Sequence, residues 1–173
     1  AYLHNKDMEI NVWDRIIAFE GRMHEFIKAA YDYQDNTFHS HPGYYIDYFE
    51  MRLAQLQVLH NLHYEIKKIR KMPKQALVIA DYIMYMADYV VEMNIPDQQI
   101  EKLEEISEQM KQEELPKTRE EFEGRALLYH ILMDLEEFLV YKKRFVNGLD
   151  EKKLRIYWKQ EMEQKDSANE LQK

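Results

Sequence analysis

Histidines at helical spacing are the first candidates for chemistry in this sequence. His60 and His63 are three residues apart, and Glu20 precedes His24 by four. Side chains at these spacings share one face of a helix, so either pair could begin a metal site. Neither pair has an evident third and fourth ligand, whereas zinc sites use three or four protein ligands. We therefore expect these histidines at the surface or the core edge, with no metal or other cofactor.

A second candidate is the aromatic segment Tyr44–Arg52, which places tyrosines beside an arginine. A tyrosine offers an apolar ring with a polar tip, and an arginine can bind a carboxylate through two parallel hydrogen bonds. Tyr45, Tyr48 and Arg52 could therefore bind an aromatic acid. The competing interpretation is structural, because aromatic stripes at helical spacing usually belong to a core.

In the structural interpretation, Arg52 forms an ion pair with a carboxylate of a later helix. Glu121 and Glu123 are the candidate partners, and such a pair would tie two helices together. We favour this interpretation over the ligand site. Three further tyrosines within residues 82–89 form a second stripe of the same kind.

Composition excludes several classes of function. The net charge is −8, whereas binding to phosphates needs a clustered basic face, so we expect no nucleic-acid partner. The absence of Cys excludes a thiol nucleophile and a disulfide framework. The four glycines are scattered, which leaves no phosphate-binding loop, and no serine lies in a Gly-x-Ser-x-Gly elbow. We therefore expect that the chain is not an enzyme.

The elements that carry these residues are predicted to be long helices. Only four Gly and four Pro occur in 173 residues, and apolar side chains recur every three or four positions. The predicted helices are Met8–Gln34, Tyr44–Lys71, Lys74–Met93, Gln98–Glu114, Thr118–Val146 and Asp150–Gln164. Long helices with short connections pack antiparallel. The pattern predicts an all-α antiparallel bundle of about five to six helices with a four-helix core, as one domain over residues 1–173 with a frayed tail at 165–173.

The same periodicity predicts which faces are buried. Leu53 in the second predicted helix, and Phe122 and Ala126 in the fifth, are expected to face inward. The third predicted helix is apolar on most sides, with Leu77 and Val91 among its apolar residues, so we expect it to be the central helix.

Local signals mark several helix ends. Thr118 and Glu121 form a capping box, in which each side chain accepts a hydrogen bond from a backbone amide at the helix start. Asn147-Gly148 predicts a left-handed helix stop, and Asp97 is expected to cap the fourth helix.

No segment of the sequence is apolar enough to span a membrane. The best candidate is Ala76–Met93, but Asp81, Asp88 and Glu92 interrupt it. A spanning helix needs about 20 predominantly apolar residues, and carboxylates at its centre are costly. We therefore expect a soluble domain.

Two blocks of sequence carry a resemblance to a known family. One is Leu115–His130 continued by Glu136–Phe145, and the other is Tyr44–Arg52, preceded by Asp35-Asn36. In order and separation these blocks resemble the C-terminal domain of the aromatic acid exporter family, related to fusaric-acid-resistance proteins. The motif positions are Asn36, Tyr45, Tyr48, Met51, Arg52, Pro116, Thr118, Arg119, Glu121, Glu123, Arg125 and His130. Gly124 departs from the pattern, where an alanine is expected.

The resemblance implies a bacterial membrane protein with an N-terminal transmembrane domain, which would be the partner of this domain in the same polypeptide. The domain would lie at the cytoplasmic face of the cell membrane and would regulate efflux, assemble subunits or sense substrate. It leaves open a homo-oligomer and an aromatic acid ligand. Helix capping and cross-helix ion pairs explain most motif residues, so we expect the motif to be mainly structural.

Two other classes of function remain open. One is a stand-alone helical module that binds aromatic carboxylates at Tyr45, Tyr48 and Arg52. The other is a metal-dependent four-helix enzyme built on His60 and His63, which has the least support.

Overall fold

The described part of the chain consists of α-helices and the connections between them. A computed structural model describes residues 42–149 continuously and, outside that range, ten single positions. These are Asp14, Ile17, Ala18, Gly21, Arg22, His24, Glu25, Lys28, Lys153 and Trp158. The helices of this part of the chain are α1 (Pro42–Lys67), α2 (Ala76–Ala87), α3 (Asp97–Lys111) and α4 (Arg119–Asn147). No strand occurs among these residues, which confirms the all-α prediction.

The predicted count of five to six helices is not reproduced, because the described residues form four. The predicted first helix, Met8–Gln34, and last helix, Asp150–Gln164, lie outside the described residues except at single positions. Helix α2 is also shorter than its predicted span of Lys74–Met93. The chain turns at Asp88, where α2 has already ended, and so presents backbone carbonyls to its neighbours instead of continuing the helix.

Helices α1 and α4 pack on each other along their length and run antiparallel. The rings of Tyr44 and Phe145 are 5.5 Å apart between centroids at one end. In the middle, the Gln55 side-chain amide donates to the Phe138 carbonyl at 2.8 Å. At the other end, Gly124 lies against the 68–74 connection, where an added Cβ would be 3.0 Å from the Pro73 ring and 3.3 Å from the Lys71 carbonyl. At this close approach the Cβ of an alanine, the residue that the resemblance led us to expect here, would require the connection to shift.

Helices α2 and α3 complete the packing. Helix α3 runs antiparallel to α4, because Asp97 at its start pairs with Lys143. At its far end, the Glu114 carbonyl accepts from Arg125. Helix α3 is tied to α2 by the Tyr82 hydroxyl, which donates to the Gln99 carbonyl at 2.6 Å. Among the residues described, no helix is both long and apolar enough to cross a bilayer.

The larger of the two apolar clusters among the described residues lies between the helices. Removal of these side chains from water is the main stabilising contribution to a bundle of this size. The most deeply buried members are Leu59, Leu62, Ala80, Ile83, Met86, Leu128, Ile131, Leu135 and Phe138.

Several predicted inward positions are wrong. Leu53 is 48% exposed, Phe122 is 62% exposed and Ala126 is exposed. A helix in a small bundle buries one stripe, and each of these residues lies beside the stripe of its helix rather than on it. For the same reason α2 is not central: it buries one face and leaves Leu77 exposed. Val91 lies beyond the end of α2 and is also exposed.

The helix-end predictions have mixed outcomes. The Thr118 hydroxyl accepts from the Glu121 amide at 3.1 Å, which confirms the cap of α4. The Glu121 carboxylate accepts from the Lys117 amide at 2.8 Å, and this bond lowers the pKa of Glu121. The left-handed stop is wrong, because Gly148 has φ −73° and continues the helical turn. Asp97 is the first residue of α3, one position later than a cap.

Candidate functional site

The start of α1, the end of α4 and the segment after α2 meet in a buried polar group. We call it the Arg52–Lys142 cluster. Its members are Tyr44, Tyr48, Arg52, Gln55, Val91, Glu92, Lys142 and Trp158. The helical periodicity that buries Tyr44, Tyr48 and Arg52 on one face of α1 also brings Phe138, Lys142 and Phe145 to the facing side of α4.

Arg52 is the centre of this cluster and is only 1% exposed. Its Nε donates to the Tyr48 hydroxyl at 3.1 Å, and one terminal nitrogen donates to Gln55 Oε1 at 2.7 Å. The other terminal nitrogen donates to the Val91 carbonyl at 3.1 Å. A buried cation is tolerated only when its donors are satisfied, and these bonds satisfy one donor on each nitrogen.

The predicted ion pair of Arg52 with Glu121 or Glu123 is wrong. Both glutamates lie in the first turns of α4, whereas Arg52 faces the segment near Phe138, which is about 25 Å further along the helix. Glu123 instead accepts from Arg119 at 3.2 Å.

Lys142 is the second buried cation and was missed by the sequence analysis. Its Nζ donates to the Val91 carbonyl at 3.1 Å and also to the Glu92 carbonyl. The same nitrogen lies 5.6 Å from the ring centroid of Tyr48 and 5.7 Å from those of Phe145 and Trp158. Three ring faces and two carbonyls therefore replace the water that this cation loses. Its position on the buried stripe of α4, four residues after Phe138, is the signal that could have revealed it.

Glu92 and Trp158 complete the cluster through Tyr44. The Tyr44 hydroxyl donates to Glu92 Oε1 at 2.7 Å and accepts from the Trp158 indole nitrogen at 2.9 Å. Trp158 is buried here, so a residue from beyond α4 also closes the bundle. Trp158 belongs to the predicted last helix, Asp150–Gln164, which lies outside the described residues except at Lys153 and Trp158.

The tyrosines of the cluster are held in their neutral form. Burial raises the pKa of Tyr48 to about 12, against the opposing effect of the Arg52 cation. Burial and then the nearby Glu92 carboxylate raise the pKa of Tyr44. Both hydroxyls therefore stay protonated at physiological pH and can donate hydrogen bonds.

Little space is left for a ligand beside Arg52. The cavity that Arg52, Gln55 and Lys142 line has a volume of about 10 Å³, which is close to the minimum for a single water molecule. Tyr45, the third residue of the predicted aromatic-acid site, is half-buried and packs edge-on against Tyr44 at 5.0 Å. The aromatic-acid site therefore stays a prediction, and in this arrangement a benzoate-sized molecule would have to displace α2 or its following segment.

The remaining motif residues lie far from the cluster, except for Met51, which is buried beside it. Pro116, Thr118, Arg119, Glu121, Glu123 and Arg125 are grouped at the start of α4. His130 faces Asp134 at 3.6 Å on the same helix. Asn36 lies outside the described residues. Apart from Asn36 and His130, the motif thus divides into two groups at opposite ends of the α1–α4 pair.

The other candidate sites of the sequence are the histidine pair His60 and His63 and the tyrosine stripe at residues 82–89. His60 is exposed and His63 half-buried on α1, and their rings pack near Tyr64. Within residues 42–149 and the isolated positions, no group of three or more His, Asp or Glu side chains could hold a metal ion. The predicted stripe at residues 82–89 divides, because Tyr82 is buried and Tyr89 is exposed.

Comparison with known proteins identifies relatives of the chain. The family described as "Putative aromatic acid exporter C-terminal domain" matches residues 1–143. "Uncharacterized protein YqjA" of Bacillus subtilis (strain 168) is 32% identical over 98 residues, which cover 57% of this chain and 30% of that protein. The chain therefore spans under a third of that relative's length.

A solved structure shares the fold. The "crystal structure of putative membrane protein from Clostridium difficile 630" superposes with a TM-score of 0.58 at 20% identity. The match covers 83% of this chain and 97% of that chain. At this identity the likeness concerns the fold alone.

Proposed function

Because the chain belongs to the family of aromatic acid exporter C-terminal domains, we propose that it regulates efflux as a non-catalytic, cytoplasmic domain of an exporter-like membrane protein. Its partner in this proposal is an N-terminal transmembrane domain of the same polypeptide. The acid that is transported belongs to the class named for the family, the aromatic carboxylates.

One observation carries the regulatory role: the Arg52–Lys142 cluster holds three separate segments of the domain together. Arg52 comes from α1, Lys142 from α4, and both donate to the Val91 carbonyl after α2. A buried, hydrogen-bonded network of this kind favours one arrangement of the helices over looser ones. A domain whose helices are held in one arrangement can transmit a displacement to an attached domain, because packed cores resist continuous deformation.

The same cluster favours regulation over direct recognition of the transported acid. Arg52 and Lys142, the cations most suited to a carboxylate, donate to groups within the protein. A site that binds a ligand tightly usually keeps its polar groups in a pocket of several hundred Å³. Here the adjoining cavity is about 10 Å³.

Efflux measurements on the full-length parent protein test this function. Bacteria without the native gene would express the intact protein, a deletion of residues 1–173, or the Arg52→Met variant. The readout is the retention of labelled benzoate-type acids at equal amounts of protein in the membrane. We expect the deletion and Arg52→Met to change the efflux rate in the same direction. The deletion removes the rigid domain, and Arg52→Met removes the hydrogen bonds that keep it rigid.

Arg144→Met is the matched control, since Arg144 is an exposed cation of α4. It should leave efflux as in the intact protein. Unchanged efflux in the deletion, with normal insertion into the membrane, would contradict the regulatory role.

A separate measurement tests the cytoplasmic location. A fluorescent protein and an alkaline phosphatase would each be fused after Lys173 of the full-length protein. We expect fluorescence without phosphatase activity, because the phosphatase is active only outside the cytoplasm. The opposite result would place the domain on the other side of the membrane.

A further inference from the structure

The connection between α1 and α2 concentrates positive charge in a chain whose net charge is −8. Its cations are Lys68, Arg70, Lys71 and Lys74, preceded by Lys67 at the end of α1, and no Asp or Glu occurs from residue 66 to residue 80. All of these cationic residues are exposed. We call residues 68–74 the basic connection. Its charge is opposite in sign to that of the whole chain, so it forms a local patch.

Large apolar side chains lie at the same end of the bundle. Gly124 packs against the basic connection and so places the first turns of α4 beside it. Phe122 in these turns is 62% exposed, and Leu115 just before them is 85% exposed. Lys68, Arg70, Arg119 and Phe122 share an open groove of about 880 Å³. Cations and an aromatic ring therefore line one continuous surface.

Several acidic residues at this end accept hydrogen bonds or form ion pairs with their neighbours. Glu123 accepts from Arg119, and Glu121 accepts from the Lys117 amide. Glu114 pairs with Lys117 at 3.7 Å. Glu120 and Glu123 also line the groove. Lys68 pairs with Glu65 at 3.2 Å, at the last acidic position before the connection.

We propose that the basic connection and Phe122 dock on the surface of a lipid bilayer that contains anionic headgroups. Clustered Lys and Arg side chains are attracted to the negative surface potential of such a leaflet, and an exposed aromatic ring inserts at the headgroup level. The inference rests on the proposed function, since a domain attached to membrane helices is held close to a bilayer. An acidic protein segment would use the cations but would give Phe122 and Leu115 no apolar environment.

Vesicle binding by the 173-residue chain tests this proposal. The chain would be sedimented with vesicles of phosphatidylcholine alone and with vesicles that also contain phosphatidylglycerol. We expect binding only to the vesicles with phosphatidylglycerol, and loss of that binding in ~1 M salt because salt screens exposed charges. No binding to these vesicles at low salt would overturn the proposal.

Matched charge variants locate the surface. The triple variant Lys68→Gln, Arg70→Gln, Lys71→Gln should weaken binding roughly 100-fold, from the typical contribution of each cation near an anionic surface. The control Lys102→Gln, Lys111→Gln, Arg144→Gln removes the same charge from exposed positions elsewhere and should bind as the unchanged chain does. Equal weakening in both triples would mean that net charge alone acts, and would overturn the proposal.

Phe122→Ser tests the apolar contribution and should weaken binding several-fold without a change in circular dichroism. If the basic connection binds polyglutamate and the chain does not bind vesicles, the partner is an acidic polypeptide. That result would overturn the proposal that the surface docks on a bilayer. The two proposals fail separately. If the chain binds the vesicles but efflux does not depend on the domain, only the proposed function is contradicted. If efflux depends on the domain but the chain does not bind the vesicles, only the docking proposal is contradicted.

Discussion

At the end of the bundle where α1 begins, Arg52 and Lys142 are buried and donate to carbonyls and side chains within the protein. At the end where α1 finishes, the cations of the basic connection are exposed. Both ends carry residues of the family motif. The comparison teaches that charge within one small domain serves two purposes: buried cations fix the arrangement of helices, and exposed cations are available to a surface outside the protein.

The largest expected effect is the loss of stability when a buried cation is replaced, compared with the loss when an exposed cation is replaced. Arg52→Met removes the donor to the Tyr48 hydroxyl, the donor to the Gln55 amide oxygen and one of the two donors to the Val91 carbonyl, which keeps Lys142. We expect the free energy of unfolding in urea to fall by about 3 kcal/mol or more. Arg70→Met at the other end should change it by under about 0.5 kcal/mol. Similar losses in both variants would show that buried and exposed cations do not differ in their contribution to stability.

A second effect comes from the raised tyrosine pKa values near Arg52. Tyr48 has a pKa of about 12, above its usual value of 10.0, so the folded state retains the proton that the unfolded state loses. The stabilising contribution is complete below about pH 10 and disappears as the pH rises to about 12, on the order of 2 kcal/mol. The raised pKa of Tyr44 and that of Tyr82, both caused mainly by burial, act in the same direction.

Unfolding in urea as a function of pH measures this effect. The free energy of unfolding should decrease between about pH 10 and pH 12. Tyr48→Phe should be less stable at neutral pH, because Arg52 loses an acceptor, and should show a smaller decrease over this range. A wild-type chain with constant stability up to pH 12 would show that burial does not control these hydroxyls.

A smaller effect is expected at the start of α4, next to the exposed cations. Thr118→Ala removes the side-chain acceptor of the Glu121 amide and should lower the unfolding free energy by about 1 kcal/mol. Thr118→Ser keeps the hydroxyl and should restore most of the stability. If Thr118→Ala cost as much as Arg52→Met, the two ends would not differ in how they stabilise the fold.

The smallest effect is expected between the two ends, at Asp134. Burial raises the pKa of this carboxyl, and Glu65 and Glu137 act in the same direction, while His130 at 3.6 Å opposes them. The raised pKa means that the ionised form is unfavourable in the folded state, so the penalty is absent at acidic pH and present at neutral pH. Asp134→Asn should therefore raise the unfolding free energy at pH 7 by under about 1 kcal/mol, because His130 offsets part of the penalty.

Calorimetric unfolding at two pH values checks this prediction. The advantage of Asp134→Asn should vanish below about pH 4, where Asp134 itself is protonated. Glu137→Gln, at an exposed neighbouring position, should have little effect at either pH. A loss of stability in Asp134→Asn at pH 7 would show that the attraction to His130 exceeds the cost of burial.

Much of the fold follows from local patterns. Apolar residues at intervals of three and four predicted each helix of the described segment, although α2 ends earlier than predicted. The Thr118 cap followed from residue types alone, because the hydroxyl of a capping residue accepts from a backbone amide only two or three residues later in the chain. Errors arose at stripe edges, as at Leu53, because periodicity gives a helix face to within about one residue and only the neighbouring helix decides what it covers.

The site was predicted only in part. Tyr48 and Arg52 were named as candidates for binding an aromatic acid; in the structure they bond to each other, because residues four apart on a helix are neighbours. The partners of Arg52 were not, because Gln55 looked like an ordinary polar residue and the Val91 carbonyl carries no signal in the side-chain sequence. Lys142 was missed because a lysine is usually exposed.

The sequence by itself determined the helices, the start of α4, the excess of cations in the basic connection and the family. These properties depend on residues near one another in the chain, or on charge that can be counted. Only the tertiary structure decided that Arg52 and Lys142 meet over the same carbonyl and that Gly124 draws the basic connection against α4. Contacts between distant segments depend on how three helices pack at once, and that geometry is not contained in the spacing of any one of them.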